Sequence, residues 1–539
     1  MKKYKLLYGL LASALCAVAF AACNSAQKCD AAKQNSQPAA TAPTAAPAQQ
    51  NKPAVEAKHA AKPAAKPAAK PAAKPAQSSP ADTTKNAAHL KARPTSDKNK
   101  QAIVYQILLP IFTHEGTLDK ARQMLPHIKN TGVNIVYLCP VVQIDDDTDL
   151  AFWSKRQKAS KTGNPKNPYR LKDYFKIEPD YGTDADLKNF VDDAHKLGLR
   201  VILDLVYYHC GPKATLIDED KNLVVCDANG NVKLGRWSFP ELNFDNPKLR
   251  EKMWSNMEYF VKKFDIDGYR TDVEGSVPAD FWAEGYKRII KIKPDLFMLA
   301  ESSRADSQVD AYDASYGFRW HNAVADAFRG KKDATAIRQT WQKDFDTYAQ
   351  GSRLLRDMDN HDTASDICVS AGARFEKLFT SRGMDAVLVL NYTIDGVPMI
   401  FSGNEFADDT KISMFSSPQH GRYFVGWENL STPRGQERMA LLKKLAELRT
   451  SHKALWDGKT QWLKNSDEKV VLSFKRSFGD EEIVVLINTK NSDATAYVDI
   501  DTKGFDVLLK YGVETDLKDG KTLAKLLPFG YVVLSKKIF

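Results

Sequence analysis

The chain of 539 residues lacks a second long hydrophobic run: its single such stretch, Leu6 to Phe20, sits at the N-terminus, so a multispan membrane protein is excluded. It also lacks a glycine-rich phosphate turn after a β-branched strand, which argues against a dinucleotide-binding sheet. Cysteine is scarce. Of seven, Cys16 lies in the N-terminal apolar run and Cys23 just after it, and Cys29, Cys139, Cys210, Cys226 and Cys368 are too few and too scattered for a disulfide scaffold. A Cys210–Cys226 bridge would suit an oxidising compartment, and the sequence leaves it open. Residues 24–98 have no Phe, Trp or Tyr. Net charge is missing from the rest: the first five residues carry +3 and residues 24–98 carry +8, so residues 99–539 are close to neutral and nucleic acid is not an expected partner. What is present is a large apolar content, 43%, enough to bury a sizeable core.

Lys2, Lys3 and Lys5 followed by Leu6 to Phe20 read as a signal peptide over residues 1–22. Ala21-Ala22-Cys23 resembles a bacterial lipobox, with Phe20 where Leu is usual, so Cys23 is the expected lipid attachment point. Ordinary secretion with cleavage near Ala22 is the alternative. Residues 24–98 contain 24 Ala and 10 Pro, including an AAKP repeat from Ala60 to Ala76. Such a segment cannot bury enough apolar surface to offset ordering entropy, so residues 23–98 are expected to form a disordered tether, spanning roughly 45–50 Å as a flexible coil. The expected location is the bacterial cell envelope, lipid-anchored to a membrane, the outer one in a Gram-negative cell, with the face left open.

From residue 99 onward, short β-branched runs alternate with amphipathic helical stretches. Candidate strands are Ala102–Leu108, Val133–Leu138, Val201–Val206, Gly268–Thr271, Leu296–Ala300, a weak one near Tyr316–Arg319, Arg353–Met358 and Val397–Phe401. Helical patterns such as Asp184–Leu197 and Pro247–Lys263 lie between them. Eight strand–helix pairs predict a TIM (β/α)8 barrel over 99–450, with a short insert at about 209–240 after the third strand. After about 455 the pattern changes to short strands separated by turns, which predicts a C-terminal antiparallel β-sandwich over 455–539.

Catalytic groups of such a barrel come from the C-terminal ends of its strands. VILDLVYYH (Val201 to His209) places Asp204 and His209 at the third, and DGYRTD (Asp267 to Asp272) places Arg270 and Asp272 at the fourth. FMLAE (Phe297 to Glu301) places Glu301 at the fifth, and RDMDNHD (Arg356 to Asp362) places His361 and Asp362 at the seventh. One acid at a strand end is commonly structural. Several at successive ends, with an Arg and two His, are hard to explain as packing. Acids converging in one mouth shift one another's pKa, the device of glycoside hydrolysis.

With these motifs the chain resembles glycoside hydrolase family 13, the α-amylase family, over roughly 99–539. VYQI (Val104 to Ile107) and GVNIVYLCPV (Gly132 to Val141) look like its first two strands. NPYRLKDYFKIEPDYGT (Asn167 to Thr183), FPELN (Phe239 to Asn243) and GVPMIFSGNE (Gly396 to Glu405) match further segments. The resemblance implies Asp272 as nucleophile, Glu301 as general acid and base, and Asp362 as the acid that binds sugar hydroxyls. Arg270 would hold the nucleophile ionised, His209 and His361 would hydrogen-bond the sugar, Tyr169 would stack on it, and Asp204 would be a structural partner. A retaining mechanism needs nucleophile and acid about 5–5.5 Å apart, which adjacent strand ends, ~4.8 Å apart, can meet.

The chain departs from the family at several points. Tyr208 stands where an Asn binds calcium, and Gly275-Ser276 replaces a Lys-His pair, so the usual calcium site is read as absent and no metal or cofactor is expected. Arg170 replaces an acid common beside the stacking Tyr. The run Asp145-Asp146-Asp147 is read as a solvated loop. Trp237, Trp320 and Trp341 are read as packing residues and Trp153 as the candidate outer subsite. The implied activity is a retaining α-glucan hydrolase acting on α-1,4 bonds of starch-derived oligosaccharides, working as a monomer. The alternatives are an α-glucosidase, a neopullulanase-like enzyme or a transglycosylase on the same scaffold. A non-catalytic glucan-binding relative is opposed by the presence of all three acids.

Overall fold

A computed structural model describes residues 85–364, 373–421 and 423–537. The leader, Cys23, Cys29, Cys368 and the tether up to residue 84 lie outside the described residues. Eight parallel strands form the central barrel: β1 Val104–Ile107, β2 Ile135–Leu138, β3 Arg200–Leu205, β4 Gly268–Thr271, β5 Phe297–Ala300, β6 Ala314–Ser315, β7 Leu355–Arg356 and β8 Val397–Phe401. Hydrogen bonding runs β6-β5-β4-β3-β2-β1-β8-β7, and a parallel bridge from Ser315 to Leu354 closes the circle between β6 and β7. All residues of the eight strands are buried, and apart from Gln106, Arg200, Asp204, Arg270, Thr271 and Arg356 they are apolar or small, as a sheet covered on its outer face by helices requires. Gly268 opens β4 at a φ of +141°, and a Cβ there would lie 2.0 Å from the Phe297 carbonyl oxygen, so this glycine lets β4 approach β5.

Capped helices separate the strands. Thr183 and Asp186 form a reciprocal capping box at the start of the Asp184–Lys196 helix, and Asn246 caps Pro247–Phe264, which has Pro at its first position. The sixth strand lies two residues before the segment expected. Phe318 already begins a helix, Phe318–Phe328, so the aromatic run Tyr316–Arg319 is a strand-to-helix turn rather than a strand.

The tether ends earlier than residue 98. Ala87 and Leu90 pack with Ala305, Tyr348 and Leu354, and Arg93 reaches the fully buried Asp313 at 2.6 Å while its guanidinium lies 4.3 Å over the Tyr286 ring. Asn99 then donates to the Leu296 carbonyl. Average composition over residues 24–98 hid these few anchoring side chains.

Two additions decorate the catalytic end. An antiparallel hairpin, Val142–Ile144 with Leu171–Ile177, follows β2, and the loop between its strands carries a short helix, Lys155–Ser160. After β3 the insert holds a Thr215–Glu219 helix and bridges pairing His209 with Glu241, Val224 with Leu242, Cys226 with Val232 and Leu234 with Pro240. Cys210 and Cys226 are both free thiols.

The C-terminal unit is an antiparallel sheet: β9 Lys459–Trp462, β10 Val471–Phe478, β11 Glu481–Asn488, β12 Ala494–Val498, β13 Asp506–Lys518 and β14 Lys521–Lys537. The end of β14 pairs with β11 and its start with β12, while β13 runs along its other edge with two register shifts. Alternation sorts the side chains. Ile483, Val485, Ile487 and Val533 join the barrel's core, whereas Val484, Leu486, Val532 and Leu534 pack with Ala496, Val498, Ala524 and Leu526 in a second core.

Candidate functional site

Asp204 and Arg270 are register partners on β3 and β4, so their side chains share the interior face of the barrel. Arg270 is fully buried. Its Nη1 donates to Asp204 Oδ1 and Oδ2 at 2.7 and 3.0 Å and to Asp272 Oδ1 at 2.9 Å, and its Nη2 is ion-paired with Glu301 Oε2 at 2.8 Å. One guanidinium thus joins three acids from three neighbouring strand ends. The backbone places them: the Asp272 N–H donates to the Leu205 carbonyl and the Glu301 N–H to the Thr271 carbonyl, each continuing the ladder one residue past its strand. Asp204 also accepts the hydroxyls of Tyr137 at 2.6 Å and Tyr169 at 2.8 Å, which completes its hydrogen bonding. Glu301 Oε2 accepts the Val273 N–H at 2.9 Å, and Val273 adopts a left-handed φ of +46°, rare for a β-branched residue, to present it.

The third acid lies on the loop after β7. Asn360 Oδ1 accepts the N–H groups of Asp362 and Thr363, fixing that turn. Asp362 Oδ1 accepts from Arg156 Nη1 at 2.6 Å, its carbonyl accepts from Arg156 Nη2 at 3.2 Å, and His361 Nε2 lies 3.5 Å from Oδ2. Gln106, pointing inward from β1, clamps His361 from both sides: its amide Nε2 donates to Nδ1 at 2.8 Å and its Oε1 accepts the His361 N–H at 3.1 Å. The proton of neutral His361 is therefore on Nε2, facing Asp362. The Tyr169 ring stacks on His361 at 5.0 Å and 16°, so one of its two faces is already covered.

The electrostatics separate the acids. Burial pushes Asp272 and Glu301 upward; Arg270 opposes the shift in both, and the mutual repulsion of the acids adds to it. Burial acts on Asp362 too, but His361 and Arg156 outweigh it and hold this carboxyl well below the usual carboxylate range. The result is one firmly ionised acid and a pair disposed to keep a proton between them, the separation that acid–base chemistry uses. His209 and His361 are each pushed down to about 4, chiefly by burial, and are neutral at pH 7. His209 Nε2 donates to the Tyr169 carbonyl at 2.7 Å, which leaves its buried Nδ1 as an acceptor with no partner.

All eight residues named from the sequence, Asp204, His209, Arg270, Asp272, Glu301, His361, Asp362 and Tyr169, thus fall in one connected network. Sequence reading missed four contributors. Gln106 and Tyr137 are polar side chains inside otherwise apolar strands, a signal that was available. The Val273 N–H and Arg156 gave none, since Arg156 sits in a basic stretch that reads as a solvated helix face.

The calcium question turns on the donor set. The Tyr208 phenol is pushed up to about 12 by burial and donates to Glu241, so it is neutral and already engaged. Arg170, fully buried, aims its guanidinium at the carbonyls of Phe152 (2.9 Å), Asp145 (3.0 Å), Asp147 (2.7 Å) and Pro165 (2.9 Å), with the Asp145 carboxylate at 3.6 Å. Asp145 is buried, so the acidic run is not wholly a solvated loop: the Arg170 cation draws its first member inside. A protein cation already satisfies the oxygens of this loop, and the residues present do not fit a divalent metal there.

Residues 78–224 and 231–454 match the family model for the alpha amylase catalytic domain. A cyclomaltodextrinase from a Bacillus species is 26% identical over 407 residues, covering 70% of this chain and 67% of that protein. An alpha-amylase from Dictyoglomus thermophilum is 22% identical over 435 residues, covering 73% and 70%. Among solved structures, a noncanonic maltogenic alpha-amylase from Thermotoga neapolitana superposes with a TM-score of 0.68 at 22% identity, covering 82% of this chain and 99% of that one.

Proposed function

The chain belongs to the alpha-amylase family and is an α-glucan hydrolase, and from that premise we propose a retaining enzyme that cleaves α-1,4 glucosidic bonds of starch-derived oligosaccharides as a monomer. The observation that carries the reading is the single guanidinium of Arg270 held between Asp204, Asp272 and Glu301. With Asp272 Oδ1 on Arg270, the other oxygen is free to attack the anomeric carbon. As that bond forms, the glycosidic C–O bond breaks and Glu301 gives its proton to the departing oxygen. Water then attacks the anomeric carbon, Glu301 takes back a proton, and the Asp272 ester is released. Asp362, kept ionised by Arg156 and His361, accepts sugar hydroxyls, and the bare Nδ1 of His209 accepts another. Tyr169 stacks on the sugar, as the resemblance implies.

Digests of maltoheptaose, pullulan and cyclodextrin, with the anomer of the first product read by NMR, test this. Retained α-anomeric products from maltoheptaose are expected, and inverted ones would end the assignment. A cyclomaltodextrinase- or neopullulanase-like preference is the second reading, and the similarity to a cyclomaltodextrinase favours it.

Two further parts of the proposal concern what surrounds the barrel. No calcium is required at the usual family position, because Tyr208 stands where an Asn would bind it and is a neutral phenol already bonded to Glu241. Activity and melting temperature are expected to be unchanged by a calcium chelator, and a loss restored by calcium would overturn this. The second is the anchor. Among the described residues no helix is long and apolar enough to cross a membrane. The Ala21-Ala22-Cys23 motif supports lipidation at Cys23, and the several acyl chains of a bacterial lipoprotein hold far more firmly than one. Cys23→Ser is expected to move the protein to the soluble fraction or stall it as precursor. Membrane retention of that variant at the normal mature mass would exclude a lipid anchor.

A further inference from the structure

Trp237 is 40% exposed, unlike Trp320, which is fully buried, and Trp341, which is half-buried and donates to Asp395 at 2.7 Å. The backbone that carries it is left-handed at two successive residues, φ +61° at Trp237 and +67° at Ser238, a conformation that side chains of this size rarely adopt. An exposed indole gains nothing for packing by being held there. Strain that persists in a well-supported turn points to function.

The support is specific. The turn closes through the Gly235 N–H donating to the Phe239 carbonyl at 2.8 Å, and Leu234 bridges Pro240. Gly235 admits no side chain, because a Cβ would lie 1.9 Å from Glu241 Oε1, and Glu241 is in turn held by the Tyr208 hydroxyl. The Arg236 guanidinium lies 5.7 Å over the Tyr208 ring. These contacts fasten the turn to Tyr208, three residues beyond the end of β3 at Leu205. They leave the indole 5.3 Å from the His209 ring at 59° and 6.1 Å from the Tyr208 ring at 86°. His209 carries the buried, unpartnered Nδ1.

We propose that Trp237 is a sugar-binding platform: its indole takes the apolar face of an α-linked glucose unit beside the one at the cleaved bond. The proposal rests on the α-glucan reading above and corrects the expectation that Trp237 only packs. A flat aromatic surface suits the axial C–H face of a pyranose, and its two stiff torsions keep the ordering entropy small.

The test compares chain lengths. Trp237→Ala is expected to lower kcat/KM on maltoheptaose about tenfold, mostly through KM, the equivalent of ~1.4 kcal/mol of contact. On p-nitrophenyl α-glucoside, which offers a single sugar, it should change much less, and Trp237→Phe should recover most of the loss. Indole fluorescence in an Asp272→Asn background gives a readout without turnover: maltoheptaose should perturb it, and Trp237→Phe should remove the perturbation. Because Asn tolerates the left-handed backbone, Trp237→Asn should bind maltoheptaose weakly while melting at or above the parent temperature. Equal losses on long and short substrates, or a collapse of stability in both Trp237→Phe and Trp237→Asn, would show that the indole is structural and overturn the platform. Failure of the unsubstituted enzyme to cleave any α-glucan would instead overturn the glycosidase reading.

Discussion

Asp272→Asn and Glu301→Gln should each lower kcat on maltoheptaose by roughly four orders of magnitude or more while the melting temperature moves by only a few degrees. The two losses should differ in kind. Without the Asp272 carboxylate no covalent intermediate forms, and no choice of substrate restores turnover. Without the Glu301 proton the departing oxygen leaves unassisted, so a dinitrophenyl α-glucoside, whose leaving group needs no proton, should still form the glycosyl-enzyme, which then accumulates. Mass spectrometry of the quenched Glu301→Gln protein would detect it as one added hexose. Burial raises both carboxyls and Arg270 restrains both, so the active form is the one in which the pair shares a single proton. The kcat/KM profile is therefore expected to fall at low pH, when a second proton neutralises Asp272, and at high pH, when Glu301 loses its own. In Glu301→Gln the high-pH limb should vanish for the activated substrate. Wild-type turnover in either variant would remove these residues from the reaction.

The barrel was legible because its signal is repeated. Each strand is a short, mostly apolar run bounded by an amphipathic helix, and six of the eight are long enough to show it. β6 and β7 have two residues each and borrow their identity from neighbours: Ala314 is placed by Leu299, and Ser315 by Ala300 and Leu354. The acids were legible for a different reason. A carboxylate ending an apolar run is conspicuous, and four such ends in chain order specify a mouth. What the sequence hides is pairing across loops. Arg156 and Asp362 are 206 residues apart, Arg170 finds its carbonyls only after the hairpin folds, and Arg93 is ordinary until Asp313 is buried beneath it. Trp237 is the reverse case. Its type suggested a core residue, and only the left-handed backbone and the exposed ring reveal another use.

Arg270→Met should be the most damaging single change to the site, in stability as well as in rate. Met has similar length and fills the volume, so the loss isolates the charge. It leaves Asp204, Asp272 and Glu301 buried with no cation among them, and removing one partner from a buried ionic cluster costs about 3–5 kcal/mol. Turnover should fall with it, because neither the ionised nucleophile nor the orientation of Glu301 survives. The pH dependence identifies the cause. Without the guanidinium the folded-state pKa values of Asp272 and Glu301 rise further above their unfolded values. Groups shifted in that direction favour the folded state when protonated, so the deficit should be largest at pH 8 and shrink as the pH is lowered toward 5. Urea unfolding of Arg270→Met and the parent at those two pH values measures it. Arg270→Lys should recover part of the stability and little of the rate, since one ammonium cannot reproduce the two nitrogens that reach Asp272 and Glu301 separately. A deficit independent of pH would place the loss in packing and take from Arg270 its role as the charge that joins the three acids.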